Sequence, residues 1–155
     1  MSIPSEKPNK QSLSSQGLTL DSYAAAKHLQ PEFLKELGVT NRATRGVQAL
    51  RIPYLNLSGE EVGARYHFEL DSNNHSRWTK GSHIIPYGIW RLQEVLQCCT
   101  VAEGDKPYIF LVEGETDAQT LWSYGIPALG IPGNTSWKPE WKEYLDGLQV
   151  LVWRA

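Results

Sequence analysis

Cysteine is nearly absent from this chain: two residues among 155, Cys98 and Cys99, side by side. Adjacent cysteines rarely pair with each other, which excludes a disulfide framework. Two thiols without a nearby histidine also cannot complete a tetrahedral zinc site. The four histidines, His28, His67, His75 and His83, are scattered. No zinc is therefore expected, the cysteine pair reads as buried apolar packing, and a reducing, cytoplasmic setting is expected. Long apolar runs and a signal-peptide core are missing as well, so a soluble protein with no membrane partner is expected. Neither sign of charge dominates: 15 Lys and Arg against 17 Asp and Glu leave −2, which gives no global signal for nucleic acid.

What is present says more. An apolar fraction of 41% with six Trp calls for a packed core rather than disorder. The charge is unevenly placed. Asn41 to Arg91 holds seven Lys and Arg against four acids, whereas Glu103 to Ala155 holds four against eight. A basic segment followed by an acidic one fits a nucleic-acid-binding part joined to a metal-binding part, and fits two differently solvated surfaces equally well.

Three regions follow from composition and periodicity. Residues 1–17, rich in Ser, Pro, Lys, Asn and Gln, read as a disordered tail. Residues 18–103 read as α+β. Asp21 or Ser22 caps a first helix through Leu29, Pro31 opens a second, and Gly38 stops it. Gln48 to Leu57 and Glu61 to Leu70 form strands about a Ser58-Gly59 turn, with Val62, Ala64, Tyr66, Phe68 and Leu70 on one face and Arg65, His67 and Glu69 on the other. Arg77 to Lys80 makes a third strand, and Ile89 to Cys99 a helix with Ile89, Leu92, Val95, Leu96 and Cys99 on its apolar stripe. Residues 104–155 change pattern. Tyr108 to Val112 (YIFLV) is the continuous apolar run of a strand buried on both faces. A helix over Thr116 to Tyr124, a strand to Ile131, a Pro132-Gly133-Asn134 turn, a helix over Pro139 to Leu145 and a strand from Gln149 to Trp153 complete a β-α-β-α-β order. The fold class is therefore α/β with parallel strands and right-handed crossovers. Trp122, Trp137, Trp141 and Trp153 are assigned to packing.

Ligands of open parallel sheets sit beyond the carboxyl ends of the strands. Glu113 leaves the first such strand, Gly114 permits a tight turn, and Asp117 falls on the first turn of the next helix. Carboxylates so placed cap a helix, or converge on a hard cation such as Mg²⁺ that takes oxygen ligands and keeps its waters.

The segment from Leu111 to Trp137, with its Glu-Gly-Glu-x-Asp-Ala run and Pro-Gly-Asn turn, resembles the first TOPRIM motif of bacterial primases and phage-type primase-helicases, including the Twinkle-like group. Ile52 to Phe68, Arg77 to Ser82, Pro86 to Leu92 and the helical start at Ser22 to Val39 resemble the subdomain that precedes TOPRIM in that group. The resemblance implies a DNA primase-type nucleotidyltransferase of DNA replication, carried by a chromosome or by a mobile element. Its expected partners are a single-stranded DNA template, nucleoside triphosphates and a replicative helicase. It also implies Glu113 as catalytic carboxylate, and Glu113 and Asp117 as ligands of Mg²⁺ or Mn²⁺. Arg65, Arg77, Trp78, Lys80, Gly133 and Asn134 become nucleotide- or nucleic-acid-binding positions. The competing readings are a solvated strand edge for the cations and an ordinary turn for Gly133 and Asn134.

One departure tempers this. TOPRIM domains carry an Asp-x-Asp motif after the third strand, and no Asp follows Asp146. The expectation is an incomplete catalytic core that binds metal weakly and is inactive alone. The alternatives are a non-catalytic single-stranded nucleic-acid-binding TOPRIM remnant, or another TOPRIM enzyme such as a nuclease or topoisomerase. With no phosphate-binding loop of the Walker type, no helicase activity is expected of these residues.

Overall fold

A computed structural model describes residues 17–70, 76–98, 104–133 and 137–153. Helix α1 (Leu20–Lys27) starts at Thr19, whose hydroxyl accepts from the Ser22 amide while the Ser22 hydroxyl reaches back to the Thr19 amide. This reciprocal capping box satisfies two otherwise unpaired donors. The cap thus lies two to three residues before the expected Asp21 or Ser22. Helix α2 (Pro31–Glu36) has Pro at its first position, as expected.

Strands β1 (Thr40–Thr44), β2 (Val47–Leu55), β3 (Glu61–His67) and β4 (Ser76–Trp78) form an antiparallel sheet in chain order. Strand β1 has no counterpart in the sequence reading, because TNRAT shows no apolar alternation: it is an edge strand with mostly exposed residues. The Arg45-Gly46 pair at its end, φ 51° and 76°, makes the tight turn into β2. Strands β3 and β4 end earlier than expected, at His67 and Trp78, which leaves Lys80 in a turn.

The register decides which side chains share a face. Leu50 pairs with His67, Ile52 with Arg65 and Arg65 with Trp78. Because opposed residues of an antiparallel pair project to one side, Arg65 and His67 stand on the same face as the buried Leu50, Ile52 and Tyr54. This polar side of β3 is the inner one.

A 3₁₀ turn (Ile89–Arg91) leads into α3 (Leu92–Cys98). Ile89 and Leu92 are buried, whereas Leu96, expected on the same stripe, is exposed. Strand β5 (Tyr108–Glu113), helix α4 (Gly114–Ser123), strand β6 (Ala128–Ile131), a 3₁₀ helix (Pro139–Leu145) and strand β7 (Gln149–Val152) build a three-stranded parallel sheet in the order β6-β5-β7. The architecture is the α/β one expected, with an antiparallel part followed by a parallel unit. Trp122 and Trp141 are buried, but Trp137 and Trp153 are 41% and 61% exposed, against the packing role assigned to them. An antiparallel bridge between Tyr87 and Gly130 joins the edge of β6 to the segment leaving the first sheet. The expectations for the 1–16 tail, Cys98-Cys99 packing and Asn134 concern groups outside the described part. No described helix is long and apolar enough to cross a membrane.

Candidate functional site

Two elements far apart in sequence build the cleft. From the parallel unit, β5 delivers Glu113 at its carboxyl end, and Gly114 turns the chain at φ 72° directly into α4. Only glycine adopts that conformation at little cost. The turn is packed from below: a Cβ added to Gly130 on β6 would stand 2.3 Å from the Gly114 carbonyl oxygen and 3.3 Å from Tyr87 Cβ. The helix consequently begins two residues earlier than expected, and Glu115 and Asp117 both fall in its first turn. From the antiparallel sheet, β3 supplies Arg65 and His67, and α1 supplies Tyr23.

A cleft of about 290 Å³ lies between them, lined by Tyr23, Arg65, His67, Glu69, Glu113 and Asp117 among others. Glu113 is exposed there and Asp117 half-buried. Gly114, Thr116 and Gly133 also border it. The structure therefore brings Glu113, Asp117, Arg65 and Gly133 of the sequence-derived candidates to one place. It does not bring Arg77, Trp78 or Lys80 there. Trp78 packs edge-on against Tyr54 with ring centroids 4.6 Å apart and carries the Arg65 guanidinium 5.5 Å from its ring. Arg77 projects from the opposite face of the sheet, where its Nη2 donates to Thr44 Oγ1 at 3.3 Å. Lys80 is exposed in the turn after β4.

Sequence reading passed over Glu115, the residue between the two candidate carboxylates. It is 3% exposed. Tyr54 Oη donates to its Oε1 at 2.5 Å, Arg65 Nη1 donates to the same oxygen at 3.3 Å, and His67 Nε2 stands 3.4 Å from Oε2. That last approach is off the line of a hydrogen bond, and the buried Nε2 has no hydrogen-bond partner among the described residues. Arg65 is held further by Ser76 Oγ, at 2.7 Å from Nη2 and 3.1 Å from Nε. Burial alone pushes the Glu115 carboxyl up, but His67, Arg65 and Tyr54 outweigh it and hold the group at about 2. Burial and the neighbouring Glu115 charge push the Tyr54 phenol well above its usual range, so it remains a donor.

The rest of α4 docks by the same means. Tyr23 Oη donates to Gln119 Oε1 at 2.6 Å, which leaves the Thr116 hydroxyl, 2.8 Å away, to donate to Tyr23. Gln119 Nε2 donates to Tyr87 Oη at 3.1 Å, and Gln119 is fully buried. Buried polar groups must be paired, and each pair here spans the two parts of the chain, so these bonds fix the orientation of α4 against the sheet. That orientation sets the gap between Glu113 and Arg65.

This combination of sheets has counterparts among solved structures. The primase fragment of the bacteriophage T7 primase-helicase protein superposes with a TM-score of 0.58 at 19% identity, over 89% of this chain and 52% of its own. The fold is that of primase catalytic cores. The DnaG primase catalytic domain bound to single-stranded DNA matches with a TM-score of 0.60 at 15% identity, over 85% of this chain and 51% of its own. The E. coli primase catalytic core matches with 0.60 at 14%, over 85% and 53%. The chain thus spans about half the length of these primases. No protein-family model and no curated protein matches it in sequence. Within the primase-like fold, Glu113 and Asp117 sit at the carboxyl end of a parallel strand, where ligands of such sheets collect.

Among the described residues no three His, Cys, Asp or Glu side chains converge as a metal cage. Mg²⁺ is nevertheless commonly held by one or two carboxylates, with waters and substrate phosphates completing its shell. Glu113 and Asp117, on one cleft and not consumed by Arg65 as Glu115 is, fit that arrangement.

Proposed function

We propose that the cleft is the nucleotidyl-transfer site of a primase-type protein, or the part of it that these residues form. The observation that carries the reading is the placement of Glu113 and Asp117 at the carboxyl end of β5, across the cleft from Arg65 of β3, in a fold shared with primase catalytic cores. Glu113 and Asp117 would hold Mg²⁺ or Mn²⁺, which offsets charge on a transferring phosphoryl group and lowers the pKa of an attacking hydroxyl. Glu113, exposed and at the mouth, is the carboxylate placed to take a proton from that hydroxyl. The Arg65 guanidinium, pinned by Ser76 and Glu115, offers a fixed hydrogen-bond donor to nucleotide phosphates. Arg77 and Lys80 offer phosphate contacts outside the cleft, and Gly133 keeps the cleft rim low.

In this reading the partners are a single-stranded DNA template and nucleoside triphosphates, in DNA replication. One structural neighbour is a primase domain bound to single-stranded DNA, and another belongs to a primase-helicase protein, so a helicase is proposed as a further partner. A binding-only reading draws support from the absence of a third metal-ligating side chain among the described residues.

The test is Mn²⁺-dependent binding of a nucleoside triphosphate, followed calorimetrically. The intact chain is expected to bind weakly, with binding lost in Glu113→Gln and in Asp117→Asn. Binding that is independent of metal, or undisturbed by both substitutions, would remove the cleft from consideration. Primer synthesis by this chain alone is expected to be absent. Robust synthesis abolished by Glu113→Gln would show that two carboxylates suffice.

A further inference from the structure

The outer face of the antiparallel sheet carries a chemistry that the cleft does not use. Register places Thr40, Arg51, Tyr66 and Arg77 in one row across all four strands. Arg42, two residues from Thr40, and Phe68, two from Tyr66, stand in the next row. Neighbouring strands lie about 4.8 Å apart, so Arg51 and Arg77 flank Tyr66 at a mutual spacing of roughly 10 Å. The Tyr66 and Phe68 rings lie 6.4 Å apart, tilted by 39°, and the Arg77 guanidinium sits 5.7 Å from the Phe68 centroid. Arg42 and Arg77 are exposed, and Tyr66 and Phe68 are half-buried. Glu61 pairs with Arg51, which still leaves three arginines to one acid on this patch.

Packing does not account for this pattern, because the inner face, with Leu50, Ile52 and Tyr54, forms the core. Alternating cations and aromatic rings fit a chain in which phosphates and flat bases alternate. A duplex keeps its bases stacked inside and cannot offer them to Tyr66 and Phe68. We propose that this outer face binds single-stranded DNA, with Arg42, Arg51 and Arg77 taking phosphates and Tyr66 and Phe68 stacking on bases. The inference rests on the nucleic-acid part of the reading above and says where the strand lies.

The experiment is fluorescence anisotropy of a labelled oligothymidylate titrated with the whole chain at several salt concentrations. Three neutralised phosphate contacts correspond to a slope of log affinity against log salt of about −2. In the triple variant Arg42→Gln, Arg51→Gln, Arg77→Gln, affinity is expected to fall at least ~10-fold and that slope to flatten. Tyr66→Leu, which keeps the apolar contact but removes the ring, is expected to weaken binding roughly 5- to 10-fold. Circular dichroism checks that each variant is folded, and a duplex of equal length is expected to bind more weakly. A folded triple variant with unchanged affinity and slope would overturn the proposal, as would equal affinity for the duplex. Glu113→Gln and Asp117→Asn are expected to bind the oligonucleotide normally. If they lose it while the triple variant keeps it, the strand lies in the cleft and the outer face is excluded. The metal-dependent nucleotide assay is a separate readout, so the two claims fail independently.

Discussion

The two faces of the antiparallel sheet carry the same kinds of residue and use them in opposite ways. On the inner face, Arg65 and His67 lean on the buried Glu115, a carboxylate from a distant part of the chain. On the outer face, Arg42 and Arg77 stand in solvent beside half-buried rings. Strand alternation alone does not distinguish them, since Arg65 and Tyr66 are adjacent in sequence. What lies opposite decides: α4 covers the inner side, whereas on the outer side Arg42 and Arg77 are exposed. Charges on the inner face should therefore matter for stability, and charges on the outer face for binding.

The largest expected effect breaks the inner network. Glu115→Ala leaves Arg65 and His67 without their carboxylate in a buried setting, and removing one partner of a buried ion pair typically costs about 3–5 kcal/mol. Urea denaturation should register that loss. A change below about 1 kcal/mol would mean that water reaches Glu115 and that the two faces are alike. The pH dependence sharpens the point. The folded Glu115 carboxyl, at about 2, lies below its ordinary 4.5. Its contribution is thus fully present above 4.5 and is lost as pH falls from there towards 2. The wild-type urea midpoint should drop across that window, and Glu115→Gln should show a shallower drop.

A second, intermediate effect tests whether the cleft depends on tight packing beneath its turn. Gly130→Ala would force a methyl group to within 2.3 Å of the Gly114 carbonyl oxygen, a backbone atom that cannot swing aside. Overpacking of this kind costs about 1–3 kcal/mol. It should also displace Glu113 and weaken Mn²⁺-dependent nucleotide binding, while oligonucleotide binding on the outer face stays intact. Loss of both would tie the faces together mechanically.

Much of the frame was legible in the sequence. The YIFLV run announces a strand covered on both faces, and the Glu-Gly step after it announces the cleft carboxylates, because both signals are local. The signals that failed depend on distant partners. Glu115 meets Tyr54 and Arg65 across 61 and 50 positions, and nothing near Glu115 marks it as buried. The alternation Arg65-x-His67-x-Glu69 does not by itself say which face is inner: charged residues seldom face a core, and here the carboxylate on α4 pairs with them. Trp153 illustrates the converse: a large apolar residue was assigned to packing, yet it is 61% exposed beside a groove with Phe110 and Leu121.

The smallest expected effect is the one that most directly separates the faces. Arg51 joins its partner Glu61 on the outer side, where the two side chains are 21% and 42% exposed. An ion pair so accessible to water contributes roughly 0–1 kcal/mol, because solvent already satisfies both charges and two long side chains must be ordered to form it. Arg51→Gln should therefore leave the urea midpoint nearly unchanged, in contrast to Glu115→Ala. If instead Arg51→Gln destabilises the fold by several kcal/mol, the outer arginines are structural and their spacing around Tyr66 is a consequence of packing. If stability holds and oligonucleotide affinity falls, the row that Arg51 forms with Tyr66 and Arg77 acts on something the chain must bind.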